Sequence, residues 1–453
     1  MNLDMHSSKT VYFVSLGCAK NRVDSEYMLG LLREQGYGIV SDPGEADIAV
    51  INTCGFLQAA VEEAIETILE VCAAKGQGRL RKVFVTGCFV QRYGYKLARE
   101  IPEVDGWLGT GRIHRLGDLL DDRLEGRTPF FIGRPLHLAD HMTPRVRTTP
   151  FYTAYLKIGE GCSHRCSYCL IPALTGPFRS RSMESILAEA GKMAEEGVTE
   201  VNLVAQDTTL YGKDLGLGSG LEDLLEALIG LRGIRWLRLL YAHPHRISNR
   251  LLELLDEKNT LCPYLDIPLQ HVNEEILLKM GRHGPGESPW QLLERIRART
   301  SGLVLRTSLI VGFPGETEEA FEELCEFVRW AAFDHLGTFL FSPEKGTPAA
   351  RMDGRVPPEI AKERQQIIME IQAEISEKKH RGLLNKIVPV LIEGESDETD
   401  LLLSGRTIGM APEVDGRVLV TKGRGMVGEI VPVRITEVHS YDLVGEIVSR
   451  ARS

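Results

Sequence analysis

The 453-residue chain contains no run approaching the roughly 18 apolar residues that a membrane-spanning helix needs. Its start, MNLDMHSSKT, lacks the basic segment and apolar block of a secretory leader. A cytoplasmic protein is therefore expected. There is no basic excess either: Lys+Arg is 53 against Asp+Glu 63, a formal net charge of −10. Proteins that live on nucleic acid show a basic balance or at least a basic face. No short repeat or low-complexity tract is present, and 43% hydrophobic with 26% charged residues is ordinary globular composition. That excludes a mostly disordered chain. The nine cysteines are odd in number, and disulfides are rare in the cytoplasm. Metal, cluster or catalytic use of the thiols becomes the question.

About 150 residues per domain predicts three domains. The spans expected are 8–135, 150–380 and 383–453, with a linker at 136–149 rich in Pro, Thr and Arg. In the first block, strand-like runs VYFVSL, IAVIN and KVFVTG alternate with helical patterns. This predicts an α/β domain with a doubly wound parallel sheet. In the second, six strands (YTAYLKI, EVNLVA, WLRLLY, YLDIPL, LVLRTSLIV, HLGTFLF) are separated by helical segments. A partial (β/α)6 barrel is expected, closed off by a long helix from about Pro357 to His380. The third block has short β-rich runs, KIVPVLIE, GRVLVTK, EIVPVRITEV and LVGEIV, between Gly and Asp turns. It predicts a small antiparallel barrel with an OB-like plan.

The most specific local signal is Cys162-Ser-His-Arg-Cys166-Ser-Tyr-Cys169, just after the first strand of the second block. Three soft thiolates at this spacing suit an iron–sulfur cluster or zinc. Three thiolates on a 4Fe-4S cluster would leave one iron open to a ligand. A Cys₃His zinc site that includes His164 is the alternative. A second triad is hidden from spacing alone. Cys18 follows VYFVSLG, Cys54 follows IAVINT and Cys88 follows KVFVTG. Strand ends of a parallel sheet share one edge, where ligand crevices form, so a second three-cysteine cluster is expected there; three unrelated thiols are the alternative. Cys72, Cys262 and Cys325 are read as small core hydrophobes.

Polar residues also collect at the predicted strand ends of the second block. Gln206 and Asp207 end EVNLVA, His243 ends WLRLLYA, Gln270 and His271 end YLDIPL, and Gly312, Gly315 and Glu316 follow TSLIV. Each alone is as readily a core or capping residue. Together on one barrel face, with Tyr168 beside Cys169, they are candidate cofactor-binding residues.

At this point the chain resembles the radical S-adenosylmethionine enzymes, on the C-x3-C-x2-C motif after the first strand of a β/α barrel. The N-terminal triad and the small C-terminal barrel, there called a TRAM domain, make it similar to the methylthiotransferases. SLGCAKNRVDSE, INTCGF, GEGCSHRCSYCLIP, LVAQDTTLYGKD, LDIPLQH, TSLIVGFPGET, GRTIGMAPEVDG and HSYDLVGEIV carry the likeness, which is closest to the branch that modifies a ribosomal protein. The resemblance implies two 4Fe-4S clusters, one on Cys162, Cys166 and Cys169 and one on Cys18, Cys54 and Cys88. It implies that the first chelates S-adenosylmethionine and yields a deoxyadenosyl radical. The second would carry the methylated sulfur delivered to the substrate radical. The implied substrate is the β-carbon of an aspartate in small-subunit ribosomal protein twelve, free or in the ribosome, with an electron donor and a sulfur donor as further partners. Two positions depart from the family's pattern: Thr175 before Gly176, and Met410 in the barrel.

The third block offers a separate test of substrate class. From Leu383 to Ser453 there are 8 Lys+Arg and 11 Asp+Glu, a net of 8 − 11 = −3. A barrel that grips tRNA needs positive charge for phosphate contacts, whereas an acidic one suits a basic protein. A protein target is thus favoured over a tRNA adenosine. A non-enzymatic iron–sulfur or zinc scaffold is the remaining alternative.

Overall fold

The computed structural model describes residues 9–120, 128–216, 220–284, 286–397 and 399–448. Its first domain is a parallel sheet of β1 (Thr10–Ser15), β2 (Gly38–Val40), β3 (Ile48–Thr53), β4 (Lys82–Gly87), β5 (Gly106–Gly109) and β6 (Phe130–Phe131). The order is β2-β1-β3-β4-β5-β6. β3 is buried at every position, as a continuous apolar strand covered on both faces should be. Crossovers run through α1 (Ala19–Glu34) and α2 (Gln58–Ala73), while α3 (Cys88–Tyr93) starts directly after β4. β1, β3 and β4 match the three strands predicted; β2, β5 and β6 were not predicted, being short segments without an apolar run of their own.

The second domain begins with β7 (Thr153–Lys157), after which β8 (Gly159–Glu160) pairs with β9 (Arg179–Ser180) to close the cysteine loop. β10 (Glu200–Val204), β11 (Trp236–Leu239), β12 (Tyr264–Asp266), β13 (Val304–Val311) and β14 (His335–Leu340) complete it. These form two parallel three-stranded sheets, β11-β10-β7 and β12-β13-β14. An isolated bridge, Leu237 to Leu261, joins them, so the six strands follow one another in chain order as an open barrel. The core is almost wholly aliphatic, with Leu203, Leu239, Leu265 and Leu309 at 0% exposure. The helix Pro358–Arg381 packs along β14.

The third domain is a closed barrel, β15 (Ile387–Ser396), β16 (Thr399–Thr407), β17 (Val418–Lys422), β18 (Ile430–Val438) and β19 (Leu443–Ile447), in the order β15-β16-β17-β19-β18. β16 was not among the predicted strands, because TDLLLSGRT mixes polar and apolar residues without clean alternation. β17 and β19 are parallel, so the barrel is not purely antiparallel. Met410 is one of its buried core residues, so at that position the barrel's own packing calls for an apolar residue.

Buried ion pairs lock the domains together. Arg145 lies in the irregular segment between the first two domains and reaches Glu26 of α1 at 2.5 Å and Glu189 of the helix Met183–Glu195 at 2.6 Å. Glu26 is fully buried. Glu200 on β10 receives Arg238 at 3.1 Å and Arg406 of the third domain at 2.7 Å. Removing one member of such a set strands a buried charge, which costs about 3–5 kcal/mol. Among the described residues no helix is long and apolar enough to cross a membrane.

Candidate functional site

Each cysteine of the N-terminal triad sits where a strand stops. Cys18 precedes the first turn of α1, Cys54 follows β3, and Cys88 opens α3 after β4. β1, β3 and β4 are adjacent in the sheet, so the three thiols share one edge. The loops approach each other closely because glycines flank the cysteines. A Cβ on Gly17 would stand 2.8 Å from the Cβ of Cys54, and one on Gly55 2.6 Å from the backbone of Phe89. The sulfurs feel one another. Burial pushes the Cys88 thiol well above its ordinary range, and the sulfurs of Cys54 and Cys18 add to the rise. Burial likewise raises Cys54, opposed by the Phe56 N–H and reinforced by Cys18.

The second triad occupies a single loop. Cys162 is buried and bonds its N–H to the carbonyl of Gly176; Cys166 and Cys169 are half-buried and linked by a Cys169 N–H to Cys166 carbonyl bond of 3.2 Å. Burial pushes the Cys169 thiol up to about 12, against the pull of the Ile171 N–H that donates to its sulfur at 3.4 Å. Burial also raises Cys162, with Cys166 adding to the rise. The Arg282 guanidinium stands 3.8 Å from the Cys166 sulfur and donates to the carbonyl of Pro268. Both triads therefore gather soft donors whose neutral thiols would ionise on meeting cationic iron. N–H and guanidinium donors beside the sulfurs are the partners that tune iron–sulfur thiolates. The donor set fits a three-cysteine cluster in each place.

His164 is committed elsewhere. Its Nε2 lies 2.6 Å from the Asp207 carboxylate and its ring stacks on His243 at 4.1 Å. Among the described residues no group of three His, Cys, Asp or Glu side chains is arranged around a single metal ion.

The strand-end residues divide. Gln206 lines a cleft with Cys18 and Cys88, so it does face the N-terminal triad. Asp207 is buried; it accepts from the Thr209 N–H at 2.9 Å and orients His164. His243 is held neutral, first by burial and then by the nearby Arg282 charge, and its Nδ1 has no partner. Gln270 has φ 73°, a strained backbone for a non-glycine residue. His271 is buried deeper; burial and Arg364 push it down to about 3, and its Nδ1 accepts from Asn273 N–H at 3.0 Å. Tyr168 packs edge-on against Phe313. Gly312 and Gly315 lie against protein: a Cβ on the first would meet Ala361 and on the second Lys279. Glu316 turns back to accept from the N–H groups of Gly312 and Phe313 and pairs with Arg364 at 3.3 Å. Cys72, Cys262 and Cys325 are buried.

Sequence reasoning missed the charged floor of the cleft. Lys157 ends β7 and bridges Asp24 of α1 at 2.5 Å and Glu160 at 2.8 Å. Burial raises Asp24 to about 6, against the pull of Lys157. Lys20 lines the same cleft. The only hint in the chain was a lysine closing an otherwise apolar buried strand, TAYLK.

Residues 10–109 match the family described as uncharacterized protein family UPF0004, residues 156–328 the radical SAM superfamily, and residues 386–448 the TRAM domain. The ribosomal protein uS12 methylthiotransferase RimO of Syntrophotalea carbinolica is 46% identical over 449 residues, covering 99% of both chains. That of Geotalea uraniireducens is 47% identical over 440 residues, covering 97% of this chain and 98% of the other. Among solved structures, the radical S-adenosylmethionine methyltransferase TsrM of Kitasatospora setae aligns with a TM-score of 0.54 at 15% identity, over 76% of this chain and 74% of that one. At that identity the likeness concerns the fold. Full-length identity, three domain matches in the same order and the cysteine-bearing barrel loop converge: the chain belongs to the RimO family of ribosomal protein uS12 methylthiotransferases and is a radical S-adenosylmethionine enzyme.

Proposed function

We propose that the protein adds a methylthio group to the β-carbon of an aspartate in ribosomal protein uS12, in the cytoplasm, with an electron donor and a sulfur donor as partners. The observation that carries this reading is the cleft at the edge of the N-terminal sheet, where Cys18 and Cys88 face Lys157, Glu160 and Gln206 of the barrel domain. A carbon–hydrogen bond of that kind is too inert for acid–base catalysis and calls for a radical cofactor. A 4Fe-4S cluster with S-adenosylmethionine on Cys162, Cys166 and Cys169 would supply one-electron chemistry, and a second cluster on Cys18, Cys54 and Cys88 would supply the sulfur.

The chain's own residues then have definable tasks. The Arg282 guanidinium and the Ile171 N–H offset negative charge on the first loop's sulfurs. Asp207 and the stacked ring of His243 hold His164 still within that loop. Lys157, through Asp24 and Glu160, ties the wall of the N-terminal domain to the barrel mouth. Arg145 does the same from behind. The cleft must keep its shape if hydrogen abstraction and sulfur delivery are to reach one carbon.

The acidic third domain supports a basic protein substrate over tRNA. Its Arg406 is buried against Glu200 and Glu393, so it adds nothing to a surface that could meet phosphate. The test compares intact masses of ribosomal proteins from cells with and without this chain, and tRNA nucleosides from the same lysates. One methylthio group missing from uS12 with nucleosides unchanged is the expected result. A missing methylthio-adenosine with uS12 unchanged would overturn the reading in favour of tRNA.

A further inference from the structure

We infer that the Lys20 ammonium is the docking point for a carboxylate on the substrate side chain that enters the cleft. The inference deepens the proposed function and rests on its reading of a polypeptide substrate.

Lys20 is 8% exposed. It stands in the first turn of α1, a 16-residue helix with no acidic residue in that turn. A helix N-terminus carries positive partial charge and disfavours a cation. Burial and the helix end both work against an ammonium there, and the Tyr241 side chain, the Cys18 sulfur and the more distant Asp266 carboxylate offset them. Among the described residues no carboxylate pairs with it directly. The ammonium lies 3.4 Å from the centre of the Tyr241 ring. The nearby Asp266 carboxylate is already taken, by Arg306 at 3.0 Å and the Tyr241 N–H at 3.0 Å.

The other cations of the cleft are satisfied. Lys157 holds Asp24 and Glu160, and Arg181 pairs with Glu189 at 2.7 Å and donates to Ser185 Oγ at 2.9 Å. Lys20 alone among them keeps its charge free of a carboxylate. Its platform is also strained: Tyr241, just past β11, has φ 60°. Such backbone is unfavourable for a bulky residue and gathers at ligand sites. The Thr208 N–H to Tyr241 carbonyl bond of 3.1 Å and the Asp266 bond hold it in place.

The anion must reach a buried cation in the cleft that Cys18 and Cys88 line. A short acidic side chain does so with its methylene carbon left inside the cleft. A nucleobase is uncharged, and the phosphate that carries it would stay at the rim. A site built around a buried charge also rejects the neutral isostere strongly, because the lysine would then stay unpaired.

A competing role for Lys20 is to offset the charge of the sulfur of Cys18, two residues away. The experiment separates the two. The cluster-loaded holoenzyme is titrated with a synthetic uS12 peptide carrying its aspartate, and with the same peptide carrying asparagine. Wild type should bind the aspartate peptide roughly tenfold or more tightly than the asparagine peptide. K20M should bind both alike, and K20R should recover most of the preference. Methylthiolation of intact uS12 by wild type is measured alongside. An equal loss for both peptides in K20M, with a shifted potential of the N-terminal cluster, would overturn the inference in favour of the sulfur-offsetting role. If K20M does not load its clusters, the wild-type comparison decides: uS12 modified with no preference for the carboxylate sinks the inference alone. No modification of uS12, with methylthio-adenosine formed on tRNA instead, sinks the proposed function and this inference with it.

Discussion

The two cysteine triads reach similar donor sets by opposite routes. Cys162, Cys166 and Cys169 lie within eight positions on one loop, which is pinned by the Cys162–Gly176 bond and by Ser167 bonds to Met280 and Ala349. Cys18, Cys54 and Cys88 are spread over 71 positions and meet only because three adjacent strands end at one edge. The first arrangement is a property of a segment. The second is a property of a sheet, and it depends on glycines that let neighbouring loops touch. A segmental site should therefore tolerate damage to the sheet, whereas the sheet-built site should fail when any one loop is pushed away.

The largest expected effect comes from deleting donors. Alanine at Cys162, Cys166 or Cys169 should reduce S-adenosylmethionine cleavage to background, read as 5′-deoxyadenosine formed. Alanine at Cys18, Cys54 or Cys88 should leave cleavage in place and stop sulfur insertion into uS12. Full turnover by C54A would remove the two-cluster assignment.

The next test leaves every sulfur in place. In G55A the new methyl would press on the backbone of Phe89, beside Cys88. Iron bound at the N-terminal triad should fall severalfold while S-adenosylmethionine cleavage persists. Unchanged iron content would mean that the loops relax independently and that the comparison is overdrawn.

Docking of the two triads is probed by R145M, which strands Glu26 and leaves Glu189 to Arg181 alone. A loss of about 3–5 kcal/mol in denaturant unfolding is expected. Cleavage uncoupled from sulfur insertion should accompany it, and product analysis checks that.

The smallest effect is a pH dependence at the far end of the barrel. Burial alone would raise Glu200, but Arg406 and Arg238 overcome it and hold the carboxyl at about 2. An unfolded glutamate titrates near ~4.3. The stabilisation is complete above that value and disappears as pH falls through about 2. The stability gap between wild type and E200Q, followed by unfolding from pH 5 downwards, should narrow over that window. A constant gap would mean that the pair contributes little.

Much of the barrel was readable in advance. β7, β10, β11 and β12 are buried at every position, which leaves such apolar runs few alternatives, and β13 shows the alternation of a half-buried strand. β5 and β6, with four and two residues, carried too little pattern to be seen, and β16 is broken by polar residues. The gathering of Cys18, Cys54 and Cys88 at one sheet edge was legible because a strand's end can be located from its apolar run. Lys20, Lys157, Asp24 and Arg282 were not, since a charged residue near a strand or helix end is usually a solvated one. Nor could Arg145 be distinguished from its neighbours in the segment PRVRTTP.

What the chain's order of residues determined by itself is the element sequence, the two cysteine sets and the family, because hydrophobic period and donor spacing are local properties. Only the tertiary structure decided that the sheet edge faces the barrel mouth, that Arg145 and Arg406 act as interdomain clamps, and that, among the described residues, no carboxylate pairs directly with the buried Lys20 ammonium. Those depend on which distant groups are brought within a few ångströms, and burial then decides whether a charge is screened by water or must find a partner.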